Sequence, residues 1–172
     1  MYHQSDIDVS SLSKAELYTE IRTQLGGLLA GETDRIANAA NFSALLFDRL
    51  PDINWVGFYF LDKAGTELVV GPFQGKPACV RIAVGRGVCG TAVAERRSIV
   101  VPDVHQFPGH IACDGASRSE LVVPLFHEDA VIGVLDLDSP LANRFDEEDR
   151  VAMETLVADF VRSYARDEII AR

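Results

Sequence analysis

Over the first fifty residues, apolar side chains recur every three or four positions. Leu17, Ile21, Leu25, Leu28 and Leu29 keep one helical face, and Ser13 with Glu16 supplies the Ser-x-x-Glu capping box that opens it; Gly26-Gly27 should loosen its last turns. A second helix is predicted from Thr33 or Asp34 to just before Pro51. Its Ile36, Ala39, Ala40, Ala44, Leu45, Leu46, Phe47 and Leu50 are apolar enough to be largely buried. The texture then changes to strands. Trp55 to Leu61, the turn Asp62 to Gly65 and Glu67 to Val70 read as a hairpin, and Val80 to Val84 as a third strand. Gly85 to Gly90 leads into a short helix, Thr91 to Arg96, followed by a short strand, Ser98 to Val101. Pro102 to Arg118 is a long irregular stretch, of a length usually tied to function. Ser119 to Phe126 and Val131 to Leu137 form a second hairpin. The last helix opens on Asp146, Glu147 and Glu148, where its dipole favours acids, and buries Met153, Leu156, Val157, Phe160 and Val161. This order predicts an α+β fold: a mostly antiparallel central sheet flanked by N- and C-terminal helices, in one domain over 1–172 with its core at about 14–165.

Composition narrows the function. Of 172 residues 48% are apolar, enough for a full core. The net charge of −10 argues against phosphate backbones and anionic membrane surfaces as partners. No apolar run approaches the roughly 20 residues that span a bilayer. The first residues, Met1 to Asp6, lack the basic and apolar regions of a signal peptide, so a cytoplasmic location is expected. Three cysteines, Cys79, Cys89 and Cys113, crowd the middle third; an odd number in a reducing compartment points to thiol chemistry rather than structural bridges.

Cys113 lies in the irregular stretch between Gly109 and Gly115, where backbone N–H groups can turn inward to hold an anion. A small buried hydrophobe is the plain alternative, weakened by the loop position. Cys89, at the start of a short helix, is expected to have its thiol pKa lowered by the dipole; Cys79 precedes a strand, and both could be ordinary core residues. A metal centre would need Cys113 with His105, His110 and His127 assembled in space, since no closely spaced ligand pair occurs; none is expected. Asp136 and Asp138 alternate on one strand and share a face, with Leu135 and Leu137 on the other, and Glu120 is brought alongside by the hairpin. Three carboxylates near a thiol suit an ammonium ligand or a carboxyl kept protonated as an acid; a solvated acidic edge is the alternative. Trp55 and Tyr59 share a face and could wall an apolar ligand tip, though core packing is the commoner use.

The segment His105 to Asp114 with its Gly109-His110-Ile111-Ala112-Cys113-Asp114 core, Ser119 to Pro124, and Gly133 to Ser139 with Asp136 and Asp138 resemble the free methionine-(R)-sulfoxide reductases, small single GAF-domain enzymes. The similarity runs from about Tyr18 to Phe160 and includes Asn54 to Tyr59 and the segments around Cys79 and Cys89. It implies a reductase of the free amino acid sulfoxide. Cys113 would be the nucleophile, Cys79 the resolving thiol and Cys89 an auxiliary partner. Glu120 and Asp138 are the candidate general acids, and Asp136 would help to hold the substrate ammonium. Trp55 and Tyr59 would enclose the side chain, while backbone N–H groups around Ile111, Ala112 and Asp114 would take the carboxylate. No bound cofactor is implied; thioredoxin is the expected external reductant and a homodimer the expected assembly. The rival readings are a non-catalytic GAF sensor of a small molecule or of redox state, and a zinc-binding module. A sensor would usually accompany an output domain, for which 172 residues leave no room.

Overall fold

A computed structural model describes residues 11–110 and 114–164. Helix α1 (Lys14–Leu29) opens on the reciprocal Ser13–Glu16 box and continues through Gly26-Gly27, whose missing side chains would have met nothing. Helix α2 (Arg35–Arg49) is capped by Asp34, whose carboxylate accepts from the Ala37 N–H at 2.7 Å. Its burial differs from expectation. Ala39, Leu45, Leu46 and Leu50 are inside, but Ile36, Ala40, Ala44 and Phe47 face solvent, and Asn38, Phe42 and Ser43 take the inner stripe. Ser43 can sit there because its hydroxyl donates to the Ala39 carbonyl.

Six strands follow: β1 (Trp55–Leu61), β2 (Glu67–Gly75), β3 (Arg81–Ala83), β4 (Ile99–Val101), β5 (Ser119–His127) and β6 (Ala130–Ser139). They form one sheet in the order β3-β2-β1-β6-β5-β4 with every neighbouring pair antiparallel. Between β3 and β4 lies α3 (Gly87–Glu95), which starts four residues before the predicted Thr91 and so takes Cys89 into its first turn. The closing helix is α4 (Glu147–Tyr164).

Both faces of the sheet are covered, which explains strands that are apolar on consecutive positions. Val56, Phe58, Phe60, Leu121, Val123, Leu125, Leu135 and Leu137 point to the layer made by α1, α2 and α4, where Phe42, Phe58 and Phe160 pack edge to face and tilted, with ring centroids 4.5–5.6 Å apart. The alternate residues Trp55, Tyr59, Val122 and Val134 face α3 and the β3 and β4 edges, with Leu68, Ile82, Val88 and Val101. On that second face Glu120, Asp136 and Asp138 stand where a purely structural sheet would carry valine.

One polar hub holds the helical layer. Asp149, fully buried on α4, accepts from the Tyr18 hydroxyl of α1, pairs with Lys14 at 2.9 Å and Arg144 at 3.3 Å, and accepts from the Asp146 N–H at 2.8 Å. The burial of Tyr18, reinforced by Asp149, pushes the phenol pKa up, so it stays a donor. Removing the shared acceptor strands the buried Tyr18 hydroxyl and takes a partner from Lys14, which keeps Asp146, and from Arg144, which keeps the Pro51 carbonyl. Asp149→Ala is expected to lower stability by about 3 kcal/mol in urea unfolding; a loss below about 1 kcal/mol would show that the hub contributes only surface-type ion pairs.

Candidate functional site

The β5–β6 register builds the acidic cluster. Glu120 stands directly opposite Asp138 and Val122 opposite Asp136, while across β6 Asp138 is opposite Trp55 and Asp136 opposite Gly57. Cross-strand partners share a face, so three carboxyl groups and the aromatic side chains of β1 project together. All three acids are buried. Desolvation raises the Glu120 carboxyl well above the usual range, and Asp138 opposes its ionisation further. Asp136 is raised by burial and by Glu120, and Asp138 by burial and by Asp136. Like charges this close in a dry site oppose one another's ionisation, so each carboxyl holds its proton to higher pH than it would in water.

Helix α3 closes the site from above. Gly90 packs it against the β3 edge: a Cβ there would lie 2.3 Å from the Ala83 carbonyl oxygen. This places Cys89, fully buried, against Asp136, with which its thiol shares a hydrogen bond. The expected lowering of this thiol by the helix dipole is therefore reversed. Burial, followed by Asp136 and Glu120, pushes the Cys89 pKa well up, because desolvation and three neighbouring acids outweigh one short helix.

The aromatic wall depends on a second glycine. Trp55 lies across Gly57, with its ring 2.7 Å from where a Cβ would be, and stacks with Phe73 at 5.3 Å and Tyr59 at 5.9 Å. Tyr59 borders the pocket and donates to the Cys79 carbonyl at 3.1 Å; Trp55 stands behind it and donates to the Lys76 carbonyl at 3.0 Å. Cys79 is half-buried, its backbone thus tied to the pocket wall.

Two members of the site were not singled out for it by sequence reasoning. His110 brings Nε2 within 3.3 Å of Glu120 Oε2; burial lowers the imidazole pKa and raises that of the carboxyl, so both shifts favour the neutral forms. The only sequence signal was its place beside Gly109 in the irregular stretch. Asn54 donates to Asp114 Oδ2 at 3.3 Å and to the Ser117 hydroxyl at 3.1 Å. Asp114 is further held by the Ala116 N–H and by Lys76 at 3.1 Å, which together lower its carboxyl pKa. This network pins the C-terminal side of the Cys113 segment to β1. Cys113, Ile111 and Ala112 themselves lie outside the described residues.

Tyr59, Ile82, Cys89, His110, Asp114, Ser117, Glu120, Asp136 and Asp138 therefore converge, whereas His105 is exposed and His127 lies at the far end of β5. The free volume among the pocket residues is about 20 Å³, room for one water molecule or an ion.

A six-stranded antiparallel sheet with this helical layer is the architecture of GAF domains. The family model for the GAF domain matches residues 41–162, and the chain belongs to that family. Within it the chain belongs with the free methionine-R-sulfoxide reductases. It is 53% identical over 154 residues to the "Free methionine-R-sulfoxide reductase" of Escherichia coli, covering 90% of this chain and 92% of that protein. The protein of the same name from Saccharomyces cerevisiae is 40% identical, with 90% of each chain covered. The structure of the Neisseria meningitidis free methionine-R-sulfoxide reductase in complex with its substrate superposes with a TM-score of 0.90 at 44% identity, covering 96% of both chains. The chain is an enzyme of this oxidoreductase class.

The buried acids make stability depend on pH in a defined direction. Their folded pKa values are raised above the unfolded values of about 4, so the folded chain holds protons that the unfolded chain releases. Stability then falls as pH rises from about 4 through the raised values. Glu120→Gln removes one such group. Urea unfolding of the reduced, ligand-free protein at several pH values between about 6 and 8 should show a flatter decline for the variant and a higher stability at the alkaline end. An unchanged slope would mean that Glu120 is ionised in the folded state.

Proposed function

We propose that this protein reduces free L-methionine-(R)-S-oxide to L-methionine, with Cys113 as nucleophile and the β5–β6 acids as its proton-bearing pocket. The observation that carries the reading is the convergence of Glu120, Asp136 and Asp138 under a thiol-bearing helix, in a chain whose relatives carry that activity by name. The Cys113 sulfur attacks the sulfoxide sulfur, the S–O oxygen passes to Cys113 as a sulfenic acid, and methionine leaves as the sulfide. The Cys79 thiol then attacks the sulfenic acid, releasing water and forming a Cys79–Cys113 disulfide. A thioredoxin-type dithiol reopens it and is itself oxidised. Cys89 is the auxiliary thiol: deprotonation is costly in its setting, which favours the half-buried Cys79 as resolving partner.

Protonating the sulfoxide oxygen makes the sulfur electrophilic enough for the Cys113 sulfur to attack, and the oxygen ends on Cys113 as its sulfenic hydroxyl. Glu120 suits that role because burial keeps its carboxyl protonated, and neutral His110 beside it can return a proton from solvent. Asp138, coupled to Glu120 across the strands, is the second acid candidate. Asp136 offers an oxygen with no hydrogen-bond partner among the described residues, which suits a substrate ammonium. Tyr59 backed by Trp55 would enclose the methyl group, and N–H groups from Ile111 to Asp114 would take the carboxylate. A site that takes both charged ends of an amino acid rejects the same residue inside a peptide, where neither is present. With about 20 Å³ free, the pocket walls must draw apart to admit a whole amino acid. The protein acts in the cytoplasm as a homodimer on this reading; among the described residues no helix is long and apolar enough to cross a membrane.

Racemic free methionine sulfoxide incubated with the protein, thioredoxin, its reductase and NADPH should lose only the R-epimer, with turnover abolished in Cys113→Ser. Glu120→Gln should retain about 1% or less of wild-type kcat if it is the main acid. Consumption of neither epimer by the wild type, with a competent reductant, would overturn the enzyme assignment and leave a ligand sensor.

A further inference from the structure

Beneath the aromatic wall, the Cys89 Sγ and one carboxylate oxygen each of Glu120 and Asp136 lie within 4.8 Å of one another, all three residues buried. Among the described residues this is the one grouping of three potential metal ligands. Their supports are independent of the Cys113 segment: Cys89 is on α3, Glu120 on β5 and Asp136 on β6. Donors around a tetrahedral zinc ion with bonds of about 2.0–2.3 Å sit about 3–4 Å apart, so closing the cluster needs only rotamer adjustments.

Three further observations point to a cation. Asp136 Oδ1 is buried with no hydrogen-bond partner among the described residues, and a bound ion is one way such a buried acceptor is satisfied. The free volume of about 20 Å³ matches an ion. Among the described residues no Lys or Arg borders the pocket, so no described cation answers the charge that the acids and thiol would carry. His110, whose Nε2 is 3.3 Å from Glu120 Oε2, stands at the rim as a nitrogen donor for a fourth position. The donor set selects the metal class: thiolate and imidazole with carboxylates favour zinc and its analogue cadmium over calcium or magnesium, which take oxygen ligands only.

We propose that Cys89, Glu120 and Asp136 form a binding site for one zinc-class divalent cation, with His110 as fourth ligand, and that the bound cation excludes the sulfoxide substrate and so inhibits the enzyme. Binding replaces the thiol and carboxyl protons, which leave to solvent, by metal–sulfur and metal–oxygen bonds; no electron changes hands. The cation is an inhibitor here and takes no part in the reduction. The inhibitory half rests on the reductase reading, whereas the site itself does not.

The test uses the full-length, reduced Cys79→Ser/Cys113→Ser chain, in which Cys89 is the sole thiol. Titration with cadmium should give one equivalent of binding and a thiolate-to-cadmium charge-transfer band in the ultraviolet. Adding Cys89→Ser should abolish the band, and adding Glu120→Gln or Asp136→Asn should weaken binding by at least about tenfold, with circular dichroism establishing that each chain is folded. Free methionine sulfoxide should displace the cation, and zinc should raise the KM of the wild-type enzyme in single-turnover methionine release while leaving its limiting rate unchanged. A folded double variant with no band, or affinity indifferent to Glu120 and Asp136, overturns the site. Binding that methionine sulfoxide does not displace overturns the inhibitory half. Cadmium binding on these ligands in a protein that reduces no sulfoxide supports the site and overturns the reductase reading; turnover without binding does the reverse.

Discussion

The structure turns on the burial of three carboxyl groups and a thiol against one face of an antiparallel sheet. Glu120, Asp136, Asp138 and Cys89 are buried, and among the described residues no Lys or Arg borders the space. Each isolated charge taken into such a setting costs several kcal/mol. The cluster is tolerable only while protons or an incoming cationic group neutralise it. That requirement links stability to pH, because these groups penalise the folded state when they ionise.

The remaining architecture supplies the energy that makes this tolerable. The opposite face of the sheet is an uninterrupted apolar layer, in which Phe58 and Phe160 with Leu135 and Leu137 lose nearly all contact with water. Asp149 shows the other way of burying a carboxylate: it is saturated with a hydroxyl, two cations and a backbone N–H. The contrast is instructive, since the same side chain type is fully partnered where it holds helices together and under-partnered where a ligand is to arrive.

The acids stand on adjacent strands in fixed register, and Cys89 on a helix seated against β3 by Gly90. Asp114 joins them through side chains, gripped by Asn54 and Lys76. Strand register and a seated helix fix the positions of the acids and of Cys89 relative to one another.

Much of this was legible in the residues. Alternation of Asp136 and Asp138 with leucines, together with the hairpin turn after Phe126, is a local property and required the acids to share a face with Glu120. Periodicity likewise gave the helices, because the Ser13 and Asp34 caps act over three residues. The burial of α2 was misjudged at Ile36, Ala40, Ala44 and Phe47: hydrophobicity alone does not say which stripe meets the sheet, and that is decided by how the helix is seated. The Cys89 pKa was expected to move in the wrong direction, since a helix start is visible in sequence and a wall of acids from β5 and β6 is not. The proximity of His110 to Glu120 and the grip of Asn54 on Asp114, sixty residues apart, are likewise tertiary facts. Local pattern determines elements and faces because it acts through neighbouring backbone and side chains. Electrostatics and pocket geometry depend on distances across the fold, which only packing sets.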